Sequence, residues 1–205
     1  MSLTQPTISP YPPKDELEDA ARRMLVALGE DPRREGLADT PRRVAESLTY
    51  LTEGYGVSPR QVVGSALFEH AGDDLVVVRG IPFYSLCEHH VLPFFGRCHI
   101  AYLPDGRVLG LSKLPRLVDV FAHRLQLQER LTRQVAEAID DVVQPRGVAV
   151  IVEARHLCVE MRGVEKLDSD TVTSCVLGEL SEKDGLPSRF LEELLGGSDG
   201  HRKAG

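Results

Sequence analysis

Cys87 and His90 stand close enough in the chain for a thiolate and an imidazole from one turn to reach the same ion. A third soft donor is available in Cys158, in a distant segment that also carries a histidine, His156. Two thiolates and one imidazole suit Zn2+ and leave its fourth tetrahedral position open to water, the arrangement of catalytic rather than structural zinc. His89 and His156, each beside a ligand segment, are then free to move protons near neutral pH. Other readings stay open at this point: a closed site using Cys87, Cys98, Cys158 and Cys175 together, cysteines that are merely small buried hydrophobes, or His89 and His156 as orienting or core residues. His70, His99, His123 and His201 take a structural reading.

The elements that must position these groups are legible from periodicity. Residues 1–13 carry prolines at 6, 10, 12 and 13 and no apolar period, which predicts a disordered tail. From Asp15, a plausible N-cap, Leu17, Ala21, Met24 and Leu28 share a helical face that Gly29 can end. Thr40-Pro41 opens a second helix with a capping hydroxyl and Val44, Leu48 and Leu51 on one face. Together, residues 14–66 form an N-terminal helical appendage. Leu75 to Val78 and Phe95 to Leu103 read as strands, with a turn at Pro104-Asp105-Gly106 leading into Val108-Leu109. Ser112 caps a helix through Ala122, and a longer helix buries Leu131, Val135, Ala138 and Val142 before Pro145 stops it. Val148 to Val152 and Thr171 to Leu180 are further strands. Residues 67–195 therefore read as an α+β catalytic domain, an antiparallel four-stranded sheet with two helices on one face in the order ββααββ. Such a unit keeps a bare face and two open edges unless copies associate, so a homo-oligomer is expected. The Gly-rich residues 196–205 read as a second disordered tail.

Bulk properties narrow the setting. The 24 Lys and Arg against 31 Asp and Glu give a formal net charge of -7 over 205 residues, which disfavours nucleic acid and anionic membranes as partners and confines any phosphate site to a local cationic cluster. No run approaches the roughly 18 apolar residues of a membrane helix, and the start of the chain lacks a secretion signal. A cytoplasmic protein with free thiols or metal ligands is expected.

Longer stretches carry a resemblance. Tyr84-Ser85-Leu86-Cys87-Glu88-His89-His90, Gly110-Leu111-Ser112-Lys113-Leu114, Gln126-Leu127-Gln128-Glu129-Arg130-Leu131-Thr132, and His156-Leu157-Cys158 with Met161-Arg162-Gly163-Val164 resemble GTP cyclohydrolase I in order and spacing, from about Asp15 to Leu180. The resemblance implies the tunnelling fold, assembled as an oligomeric barrel in toroidal decamers. It also implies zinc-dependent conversion of GTP and water to 7,8-dihydroneopterin triphosphate and formate, the first step of folate and pterin biosynthesis. By position it puts one Zn2+ per subunit on Cys87, His90 and Cys158, acid/base work on His89 and His156, triphosphate binding on Ser112, Lys113, Arg116, Arg162 and Arg43, and guanine recognition on Gln128 and Glu129. A carboxylate at Glu129 suits that last role, since it can accept two hydrogen bonds from the N1 and N2 edge of guanine, which adenine lacks. Lys113 and Arg116 lie near a helix start, where the dipole already favours phosphate. The sequence departs from the family at Leu125, where proline is frequent, and at Cys98, in place of an aliphatic residue. A cysteine-nucleophile nitrile reductase of the same fold and a non-catalytic nucleotide-binding protein are the rival readings.

Overall fold

In the computed structural model, which describes residues 14–72, 74–167 and 169–182, two helices come first. The tails expected at 1–13 and 196–205 lie outside the described residues. α1 (Lys14–Ala27) and α2 (Thr40–Leu51) pack on each other. α1 ends as its glycine predicts: Gly29 has φ 85, and the N–H groups of Gly29 and Glu30 donate to the carbonyls of Val26 and Leu25, both at 3.0 Å. The buried face of α1 differs from the one its periodicity predicts. Ala21 and Leu25 are buried, whereas Met24 is 51% and Leu28 72% exposed, because α2 covers only a narrow stripe one turn long. The caps also differ, with Asp15 inside α1 and no side-chain cap bond at the start of α2. There the Asp39 carboxylate is taken instead by Arg43 at 3.2 Å and Arg42 at 3.8 Å.

A short helix, α3 (Pro59–Val63), leads into β1 (Leu67–Glu69), β2 (Val76–Cys87), β3 (Pro93–Leu103) and β4 (Arg107–Leu109). Then come α4 (Lys113–Ala122), β5 (Leu125–Gln126), α5 (Gln128–Val143), β6 (Gly147–His156), α6 (Leu157–Glu160), β7 (Thr171–Gly178) and α7 (Glu179–Glu182). The main sheet has the order β5-β2-β3-β6-β7 and is antiparallel except where β5 runs parallel to β2. Four strands were expected, and the fifth is the two-residue β5, which pairs Leu125 with Leu86 and Gln126 with Cys87. So short a strand has no period to betray it. β4 joins β1 in a separate two-stranded ribbon.

Two strand boundaries also move. β2 continues to Cys87, so the Cys87–His90 motif begins at a strand end; a bulge at Arg79-Gly80, with Gly80 at φ 73, re-phases the alternation so that Ile81 and Phe83 are buried. β7 ends at Gly178 rather than Leu180. Gly178 has φ 62 and so little room that a Cβ would lie 2.3 Å from the Arg146 carbonyl oxygen, which turns the chain and puts Leu180 into α7.

The core lies between the sheet and the helices α4 and α5. Phe83, Phe94, Ile100, Val150 and Val152 from the strands meet Leu114, Leu117, Leu131, Val135 and Ile139 from the helices. α5 stops where Gln144 turns left-handed at φ 55, one residue before Pro145. Ser112 precedes α4 without a side-chain cap bond. The helical unit is tied on by Arg124, which donates to the Gly54 carbonyl at 2.9 Å and stands over the Tyr55 and Phe121 rings. Gly54 approaches so closely that a Cβ would lie 2.3 Å from the Val120 carbonyl oxygen.

Among the described residues the opposite face of the sheet buries a small apolar group, Ala101, Ala149, Ile151 and Leu180 with Val176 packed on it, beside exposed Tyr84 stacked on Phe95. On this face burial holds the His99 imidazole far below its ordinary value, at about 4, with Arg97 and Arg79 adding to the effect. Its Nε2 lies 3.5 Å from a Glu153 oxygen, too far to count as a hydrogen bond here. Among the described residues no helix is long and apolar enough to cross a membrane.

Candidate metal centre

Two chain segments meet at the end of the β2-β3-β6 part of the sheet. The first is the turn from β2 to β3. The Cys87 carbonyl accepts the N–H of Val91 at 2.8 Å and of His90 at 3.4 Å, and the Cys87 N–H donates to Leu92 O at 2.9 Å. Closing this turn forces Val91 to φ 54, a true outlier for a β-branched residue, at a cost of about 1–3 kcal/mol. The turn projects His89 and His90 into solvent and leaves Cys87 buried beneath them. The second segment follows from strand register. Phe94 pairs with His156, so α6, which begins one residue later, brings Cys158 to the same end of the sheet.

The result is a group in which the Cys87 Sγ, one His90 ring nitrogen and the Cys158 Sγ all lie within 4.8 Å of one another. Three donors so close, two sulfur and one nitrogen, fit a soft or borderline divalent cation. Burial, reinforced by the neighbouring Cys87 sulfur, pushes the Cys158 thiol up. A bound cation reverses that preference, because it favours the thiolate electrostatically. Cys98, on β3, is fully inside the core, and burial pushes its thiol up. Neither Cys98 nor Cys175 joins the group among the described residues, which removes the support for a four-cysteine site.

His156 is the most constrained side chain here. Its ring stacks on Phe94 with centroids 4.8 Å apart and planes 1° from parallel, and its Nε2 lies 2.7 Å from Gln128 Oε1. Gln128 is 2% exposed, and its amide nitrogen donates to Val152 O at 2.9 Å, Thr171 O at 2.8 Å and Thr173 Oγ1 at 3.2 Å. With the nitrogen so used, the amide oxygen must face His156, and the neutral imidazole carries its proton on Nε2 and keeps a lone pair on Nδ1. Burial lowers the His156 pKa against the opposing pull of the nearby Glu129 and Glu160 carboxylates, so the neutral ring dominates at neutral pH. His89 lies on the other segment, its Nδ1 3.8 Å from the Cys87 sulfur.

The remaining predicted residues divide. Glu129, exposed in the first turn of α5, sits near enough to His156 to be felt by it. Arg162, four residues past Cys158, favours the ionised thiol there. Ser112 and Arg116 are exposed and Lys113 half-buried around the start of α4, and Arg43 is on α2. No hydrogen bond or ion pair among the described residues joins these four to the sulfur and imidazole group. Lys113, Arg116 and Arg162 make no ion pair among the described residues, while Arg43 is held by Asp39. The N–H groups of Lys113 and Leu114 at the start of α4 already donate to Gly110 O at 2.8 Å and Leu111 O at 3.3 Å. Sequence reasoning missed the partners that hold the ligand segments, namely Phe94 under His156 and the arginine-carboxylate pairs Arg130-Glu88 and Arg155-Glu160. Glu88 lies inside the ligand motif, but nothing in the sequence joins it to Arg130.

Residues 17–195 match the family described as GTP cyclohydrolase I. GTP cyclohydrolase 1 of Chromohalobacter salexigens is 56% identical over 89% of this chain and 99% of its own length. GTP cyclohydrolase 1 of Gloeobacter violaceus is 54% identical over 87% of this chain and 83% of its own. GTP cyclohydrolase 1 1 of Pseudomonas aeruginosa is 54% identical over 86% and 95%. A solved structure, the archaeosine synthase QueF-Like in the apo form, is 21% identical with a TM-score of 0.43, over 53% of this chain and 97% of that one, and decides nothing further. On the family match and on relatives more than half identical across most of its length, this chain belongs to the GTP cyclohydrolase I family.

Proposed function

We propose that this chain hydrolyses GTP to 7,8-dihydroneopterin triphosphate and formate, with one Zn2+ per subunit held by Cys87, His90 and Cys158. The observation that carries the reading is the convergence of two thiols and an imidazole within 4.8 Å, with a non-ligand histidine on each ligand segment. When bound, the ion supplies Lewis acidity that makes water nucleophilic near neutral pH. His89, exposed beside the ligands, moves a proton at N7 of the guanine ring as its imidazole half opens. His156, with its Nε2 proton committed to Gln128, offers Nδ1 for proton transfers at the ribose ring oxygen. Glu129 accepts the N1 and N2 protons of guanine, while Gln128 supports that edge of the site from within the fold. Ser112, Lys113, Arg116, Arg162 and Arg43 hold the triphosphate, and the absence of carboxylate partners on three of these cations among the described residues leaves them available to an anion. The sheet face left uncovered by the helices supports assembly into a tunnelling-fold barrel, read here as a homodecamer; the same reading puts the protein in the cytoplasm, where its product enters folate and pterin biosynthesis.

Purified protein given GTP is expected to release formate and a pterin that fluoresces on oxidation, and a strong chelator is expected to abolish both until Zn2+ is returned. A protein that binds GTP and never yields formate is a nucleotide-binding module instead, and that result overturns the proposal.

A further inference from the structure

The Cys87–Val91 turn carries two exposed histidines and a strained Val91, and the backbone bonds of Cys87, His90 and Val91 run to Leu92 O and Cys87 O, within the turn itself. Glu88 is different. Its N–H donates to Gln126 O at 3.0 Å, and its carboxylate takes two guanidinium N–H bonds from Arg130, at 2.5 Å and 3.1 Å. This two-point bond fixes orientation as well as distance, which a lysine in the same place would not do. Arg130 lies on the first turn of α5, directly after Gln128 and Glu129, so the pair joins the metal-ligand turn to the element that orients His156 and presents Glu129. The second ligand segment has the same device: Glu160, 6% exposed, two residues past Cys158, takes Arg155 at 2.9 Å and 2.6 Å.

We propose that Arg130 and Glu88 are a positioning pair that keeps the Cys87–His90 turn in its ligand-ready shape before any ion arrives, and so raises metal affinity without touching the ion. The inference rests on the metal reading above. A partly exposed ion pair of this kind usually adds little to global stability, so the positioning role and a merely structural one make different predictions.

The test uses metal-free full-length protein, with Zn2+ affinity measured by competition against a chromophoric chelator and thermal midpoint measured alongside. Arg130→Gln and Glu88→Gln are each expected to weaken Zn2+ binding about 10–100-fold, the range for losing a group that orients a ligand, with the metal-free midpoint nearly unchanged. Arg130→Lys is expected to recover only part of the affinity, and the double variant to be no weaker than the worse single one. Affinity within twofold of the parent in both Gln variants overturns the proposal, as does a loss fully accounted for by a fallen metal-free midpoint. Failure of the metal reading itself looks different, because the parent protein would then take up no Zn2+ at all.

Discussion

Cys158→Ser is expected to lose the ion and the turnover together. Serine keeps the size of the side chain but replaces a soft thiolate with a hydroxyl that stays protonated near neutral pH. Two ligands from one turn, Cys87 and His90, would remain, and the segment that closes the site from the other side of the sheet would contribute none. The drop in affinity should exceed the roughly 10–100-fold seen when only an outer partner is lost, so the purified variant should carry little zinc. Cys158 is only partly buried and packs at the edge of the core, so the fold should survive. Metal analysis and circular dichroism on the same sample check both statements. A variant that keeps stoichiometric zinc and parental activity would remove Cys158 from the site.

His156→Ala is expected to do the opposite to the ion and the same to the reaction. His156 is not one of the three grouped donors, so zinc content should stay at the parental level. Turnover should fall by about 10²–10⁴-fold, the usual worth of a positioned general acid or base, with a smaller effect on KM. Gln128 supplies an internal control, because its oxygen fixes which ring nitrogen of His156 holds the proton. Gln128→Ala should therefore lower kcat by less than His156→Ala, and the double variant should be little worse than His156→Ala alone. Additive losses would mean that the two side chains act separately.

How much of this was legible in the sequence depended on how local the cause was. The grouping of Cys87, His90 and Cys158 could be read because Cys87 and His90 share one turn and because Cys158 travels with His156. The helices α4 and α5 showed through their strong apolar period, and β6 through its unbroken apolar run. The two-residue β5 had no pattern to show, and the length of β2 was hidden by the bulge at Gly80, which breaks the alternation that sequence reading relies on. Side-chain capping was over-read at Asp15 and Thr40, which lie inside their helices, and at Ser112, which makes no cap bond. The double use of Gln128 could not have been foreseen, since its partners come from β6 and β7 and meet it only in the folded chain. The long-range pair between Glu88 and Arg130 was invisible for the same reason.

X-ray absorption on the zinc-loaded protein reads out the donor set around the ion. Two sulfur donors at about 2.3 Å and two lighter donors at about 2.0–2.1 Å are expected, one of the latter an exchangeable solvent oxygen. Four sulfurs around the ion, or a fully active protein that contains none, would contradict that expectation.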